Sequence, residues 1–180
     1  MPYEPKDIIA FWYTAGPYRW YDATPEFDVE VRDTWLAAHE AAARGEHADW
    51  KDTAEGALAL LLLLDQFPRN MFRGTARAFA TDAKAYEVAD HAVAKGFDQK
   101  FKNPWKRFFY LPFMHSEQLP DQKRCLELCL AAGDQGGIGA SRAHLGIIAR
   151  FGRFPHRNPA LGREMTPAEQ AYLDSGGWSG

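Results

Sequence analysis

Alternating strand patterns are nearly absent from this chain of 180 residues. Cysteine is almost absent too: only Cys125 and Cys129 occur, four apart on one predicted helix, as expected of reduced core residues rather than a disulfide framework. The longest apolar run, Ala57 to Leu64, is far short of the ~20 residues that span a bilayer. The opening Met1-Pro2-Tyr3-Glu4-Pro5 carries neither a basic nor an apolar targeting region. Together these absences predict a cytoplasmic protein with no membrane partner. Several reaction signatures are missing as well. There is no Gly-x-Ser-x-Gly elbow and no His-Glu-x-x-His helix, and the two cysteines are assigned no nucleophilic role. The stretch Gly133 to Gly139 lacks the Gly-Lys-Ser/Thr ending of a phosphate loop and reads as a flexible linker. A net charge of −3 argues against nucleic acid as a partner.

What is present is helical. The chain is long enough to bury a core without staples, in one compact domain over residues 1–180 or a tightly packed pair of subdomains. Lys6 to Thr14 reads as a first helix ended by Gly16-Pro17, followed by an aromatic loop, Tyr18 to Tyr21. Thr24-Pro25 caps a second helix whose buried face is Phe27, Val31, Trp35, Ala38 and Ala42. Its acidic start (Asp22, Glu26, Asp28, Glu30, Asp33) reads as a solvated helix end suited to the dipole. Asp52-Thr53-Ala54-Glu55 resembles a capping box and opens a helix that is apolar on every side, the candidate central element, with Pro68 fixing its end. Thr81-Asp82 caps another. Pro112 is expected to break or kink the aromatic segment around it, and helices follow over about 120–131 and 141–151. Thr166-Pro167-Ala168-Glu169 combines a capping box with a first-turn proline. The fold class is all-α: an irregular bundle of stacked antiparallel helix pairs, tetratricopeptide-like, without a strict repeat.

Two corners carry the concentrated polar chemistry. Asp65-Gln66-Phe67-Pro68-Arg69-Asn70 and Phe154-Pro155-His156-Arg157-Asn158 repeat the same residue types, each where a helix should stop. Such groups can simply tie down free helix-end carbonyls. They can also bind an anion. From Ala140 to Arg163 the chain has Arg142, Arg150, Arg153, Arg157 and Arg163 and no acid, and Arg69, Arg73 and Arg77 form a second basic series. His115, Glu117, His144 and His156 add possible proton carriers. Three histidines and a carboxylate could in principle ligate zinc or iron, but the spacing is not that of a metal motif, and no metal is assigned. For Ser116 and Glu117 the competing reading is a cap on the helix that follows.

Leu64 to Asn70 with Arg73-Gly74, Tyr110-Leu111-Pro112-Phe113-Met114-His115-Ser116-Glu117, and His144 through Arg163 resemble the bacterial domain-of-unknown-function 924 family. Ile8 to Tyr13 and Trp20-Tyr21 are similar to its N-terminal text. The resemblance implies an all-helical, tetratricopeptide-like cytosolic protein and implies no reaction or cofactor.

The residues therefore predict a site for a small anionic ligand between the two corners and the His115 segment. Asp65, Arg69, Asn70, Arg153, Arg157 and Asn158 would bind it, and His115, Glu117, His144 and His156 would supply proton transfer or polar recognition. The alternative is a helical-repeat module whose basic groove takes an acidic peptide or protein.

Overall fold

The computed structural model describes residues 3–21 and 24–178, and among these every regular element is helical. Asp22, counted above with an acidic helix start, and Met1 and Pro2 of the opening lie outside the described residues. The chain divides into two compact units: Met1–Arg73 with Arg77–Pro112, and Gly74–Ala76 with Phe113–Gly180.

In the first unit, α1 spans Pro5–Tyr21 and is broken at Gly16, whose φ of 71° and ψ of 169° no side-chain-bearing residue adopts readily. Pro17 restarts the turn, so Tyr18 to Tyr21 are helical rather than an aromatic loop. Helix α2 (Pro25–Arg44) is capped by Thr24, which accepts from the Phe27 amide, and closed by left-handed Gly45. Its predicted apolar stripe is buried. Helix α3 (Ala54–Leu61) has every residue but Glu55 buried, and it packs on α1 and on α5 (Asp82–Ala94). It is the central element the all-round apolar pattern predicted. Trp12, Phe27, Phe67 and Phe108 converge in the core, each worth about 2 kcal/mol of transfer free energy.

Its start and end both differ from expectation. Thr53, not Asp52, is the N-cap, and its hydroxyl accepts from the Gly56 amide at 3.1 Å. Gly56 fits because the Trp50 carbonyl approaches so closely that a Cβ would lie 2.2 Å from it. Glu55 therefore sits one residue early for a capping box. At the other end, Pro68 does not stop the helix. The chain runs through a π turn, Leu62–Gln66, into α4 (Phe67–Met71), with the Phe67 amide bonding five residues back to Leu62.

The π turn is how a proline is held inside a buried helical run. Pro68 has no N–H, so the carbonyls four and five residues before it, Leu64 and Leu63, lose their donors. Side chains replace them. Thr81 Oγ1 donates to Leu64 O at 2.6 Å, and His39 Nδ1 donates to Leu63 O at 2.9 Å. Burial pulls the His39 pKa down, against the opposing pull of that bond. Thr81 does stand at the N-cap of α5, but its side chain serves Leu64 instead of the α5 amides.

Helix α6 (Leu111–His115), where the chain passes from the first unit to the second, starts rather than breaks near Pro112, because proline is tolerated in a first turn. Gln122, fully buried on α7 (Leu119–Ala131), donates to Met114 O and Ser116 O, both at 2.6 Å, and so ends α6. Helix α8 spans Gln135–Phe151, so most of the predicted glycine linker is its first turns. Gly137 explains this. It is buried where a Cβ would meet Asp134 Oδ2 at 2.5 Å and Cys129 Sγ at 3.0 Å, so contact between α7 and α8 overrides glycine's poor helix propensity. Both cysteines are buried thiols outside any disulfide, each within hydrogen-bond reach of the Ser141 hydroxyl. Helices α9 (Asn158–Leu161) and α10 (Pro167–Asp174) follow, the latter with the predicted capping box. No helix among the described residues is long and apolar enough to cross a membrane.

The Leu64 carbonyl gives a direct test. Thr81→Val should cost about 1–3 kcal/mol in urea unfolding, the range for an orphaned buried acceptor. Thr81→Asp, a good cap that cannot donate, should fail to restore the loss; full rescue would mean that Thr81 acts only as a cap.

Candidate functional site

The first corner is a closed ion-pair cluster. Arg69 places its fork on Asp82, at 3.0 and 3.1 Å, and also bonds the Asp65 carbonyl at 2.5 Å. Asp65 is 1% exposed and is further held by Gln66 Nε2 and by Arg69 at 3.2 Å. Asn70 Nδ2 donates to Asp28 Oδ1 at 2.8 Å, and Arg73 clamps both oxygens of the same carboxylate. Arg77 bonds Glu40 at 2.6 Å. Each arginine of the predicted second basic series thus faces a carboxylate, and Asp28, expected in a solvated helix start, is one of them. Asp65, Arg69 and Asn70 are thus each tied into internal ion pairs or hydrogen bonds.

The second corner is built differently. Left-handed Gly152 ends α8, Phe154 is extended, and Pro155 opens a single 3-10 turn to Arg157. Glu117 comes to meet it. Its Oε1 accepts from the Phe154 amide at 2.8 Å and from Arg163 at 3.0 Å, and its Oε2 accepts from Arg163 at 2.7 Å. Burial pushes this carboxyl up, but the Arg163 fork and the Phe154 amide outweigh it and hold it below the usual range. Neither Ser116 nor Glu117 caps α7, whose N-cap is Gln118 without a side-chain bond; Ser116 instead accepts from the Gln118 amide and donates to Asp121.

A second carboxylate lies beyond. Arg163 Nε bonds Asn158 Oδ1 at 2.9 Å, and Asn158, fully buried, turns its amide toward Glu169 at 3.4 Å. Glu169 takes the Arg153 fork at 2.6 and 2.8 Å and the Thr166 amide at 2.8 Å. The Arg153 fork, against the burial penalty and with the Thr166 amide in support, holds the Glu169 carboxyl at about 2. Arg153 and Asn158 are therefore joined to a carboxylate pair and hold the corner's shape.

His144, Arg157, His156 and His115 make up the remainder. His144 is 7% exposed, and its Nδ1 donates to the Ala140 carbonyl at 2.8 Å, which leaves Nε2 as an acceptor in the neutral ring. Burial lowers its pKa, His115 and Arg157 add to that, and the Ala140 bond opposes it, giving about 4. Arg157, 6% exposed, lies over the Phe154 ring at 4.6 Å. Trp178 covers the group, 4.2 Å from the His144 ring centre and 4.6 Å from that of His156, and its amide is held by Tyr172 Oη at 3.0 Å. The fold thus brings the predicted His115, Glu117, His144, His156, Arg153, Arg157 and Asn158 into one unit, and the predicted Asp65, Arg69 and Asn70 into the other. Arg163, Glu169 and Trp178 belong to the cluster and were not predicted as site residues. Among the described residues no group of three or more His, Cys, Asp or Glu is placed to hold a metal ion.

Residues 8–177 match the family described as "Bacterial protein of unknown function (DUF924)". A solved structure of a protein of unknown function from Agrobacterium tumefaciens is similar to this chain, with 46% identity, a TM-score of 0.92, and coverage of 95% of this chain and 97% of that one. Among curated proteins no relative matches. The chain belongs to this bacterial family of unknown function, as its motifs indicated.

Two outcomes check the cluster. A double-mutant cycle between Glu117→Gln and Arg163→Met should give a coupling on the order of 1–3 kcal/mol in chemical unfolding; additive losses would contradict the pairing. The His144 pKa is depressed on folding, so its stabilisation is full above about 6.5 and is lost as pH falls through about 4. The unfolding midpoint should drop across that window, and His144→Gln should flatten the drop.

Proposed function

We propose that the second corner binds a small molecule bearing a phosphate or carboxylate, with Arg157 supplying the charge and His144 the proton acceptor. The observation that carries this reading is the state of His144: neutral, fixed in tautomer by Ala140, and within the field of Arg157 and His115. An anion beside a histidine raises its pKa by roughly 1–3 units. A bound anion would therefore lift His144 from about 4 toward neutrality, where a histidine serves as general base or acid. His156 and Trp178 offer rings for the rest of such a ligand. Glu117, Arg153, Asn158, Arg163 and Glu169 position the corner and do not touch the ligand. In this reading the protein works in the cytoplasm, where buried thiols outside any disulfide are at home, on a tetratricopeptide-like arrangement of helix pairs of which α7 and α8 are the clearest example. The same arrangement would suit the second reading, a peptide-binding module, but the neutral buried histidine favours the small ligand.

Calorimetry with inorganic phosphate, citrate and acetate tests the reading. Wild type should bind at least one of them, and Arg157→Gln should weaken that binding by about tenfold or more, the scale of one charge-assisted contact. His144→Gln should instead change the proton uptake on binding. Heats indistinguishable from dilution for all three anions would overturn the proposal, as would unchanged binding in a folded Arg157→Gln.

A further inference from the structure

A groove of about 470 Å³ runs along α1 in the first unit, within the range of roughly 300–1,000 Å³ usual for small-ligand sites. Ile9 and Tyr13 of α1, Phe101 and Trp105 line it, with Lys6 and Glu55 as its charged groups. Tyr13 is 70% exposed, and its ring stacks on Trp105 at 6.0 Å and 14°. The exposed Tyr13 ring thus meets the half-buried Trp105 ring at the rim of the groove.

The two charges are not equivalent. Lys6 Nζ is bonded to Glu4 at 2.6 Å, with Asp7 acting on it as well, so its charge is answered within its own segment. Glu55 has no hydrogen bond or ion pair among the described residues. The reason is local: with Thr53 as the N-cap and Gly56 as the third residue of α3, the glutamate that would have closed a capping box one residue later is released into the groove. Lys100 borders an adjoining hollow that shares Glu55 and Phe101, and its ammonium lies over the Phe97 ring at 5.5 Å.

We propose that this groove binds an organic ammonium cation, seated on the rings of Tyr13, Trp105 and Phe101 and neutralised by Glu55. Aromatic faces carry negative quadrupole density, and a quaternary ammonium group, too weakly hydrated and too large for a simple salt bridge, gains most from such a surface beside one carboxylate. Primary amines share the chemistry but hold their water more tightly. This site is independent of the His144 reading.

Tetramethylammonium chloride is the probe, titrated against sodium chloride at equal ionic strength and followed by tryptophan fluorescence and amide chemical shifts. Saturable shifts in residues 9–14 and 101–105 are expected with tetramethylammonium alone. Glu55→Gln and Tyr13→Leu, both at exposed positions, should each weaken binding by about tenfold with little change in melting temperature. A response equal to that of sodium chloride would overturn the proposal. So would unchanged affinity in both variants, or groove shifts produced by phosphate and abolished by Lys6→Gln or Lys100→Gln.

Discussion

The carboxylate of Glu117 is the constraint on which the second corner depends. It satisfies the Phe154 amide, left without a helical partner where α8 has ended, and it neutralises Arg163 in the same step. Arg163 then orients Asn158 and caps the Phe154 carbonyl, and Asn158 turns toward the Glu169–Arg153 pair. Charges alternate in sign along this path, which is what allows three half-buried ionic groups and one almost fully buried carboxylate to lie so close together. Without Glu117, Arg163 would lose its carboxylate and the Phe154 amide its acceptor. With it, the 3-10 turn that carries His156 and Arg157 has a fixed place against His144.

The two corners share residue types and solve different problems. In the first, proline lies within a continuing helix, and the damage is confined to two carbonyls repaired by His39 and Thr81. Its arginines meet Asp82, Asp28 and Glu40, so its cationic groups are matched nearly one for one. In the second, proline follows a true helix end, and the acids that balance its arginines also bind backbone amides. Arg157 bears on both the Glu117 carboxyl and His144, and it lowers the pKa of each. That difference, rather than the number of arginines, separates the two corners.

Much of the fold was legible in the sequence, because helix periodicity and caps are local properties. The buried stripe of α2, the all-round burial of α3 and the capping box of α10 follow from spacing alone. Readings failed where a distant partner decided the outcome. The glycines of α8 form a helix because Gly137 fits against α7, and Pro68 continues a helix because donors arrive from α2 and from Thr81. The run from Ala140 to Arg163 contains no acid, yet Glu117 lies 37 residues before Phe154 and binds inside it. Glu169 was readable as a cap but not as the Arg153 partner, since both roles fall to one side chain. His144, on an apolar stripe, gave no sign in its spacing that a cation and a second histidine would bear on it.

The central claim is that His144 is a neutral base held beside a cation and tuned by an arriving anion. An NMR pH titration of the His144 ring, with and without saturating inorganic phosphate, tests it most directly. The account predicts a ring protonated on Nδ1 that titrates near 4 in the free protein and moves upward by roughly one unit or more with phosphate bound. A ring that titrates near its ordinary value of about 6.5, or one that phosphate leaves unmoved, would contradict it.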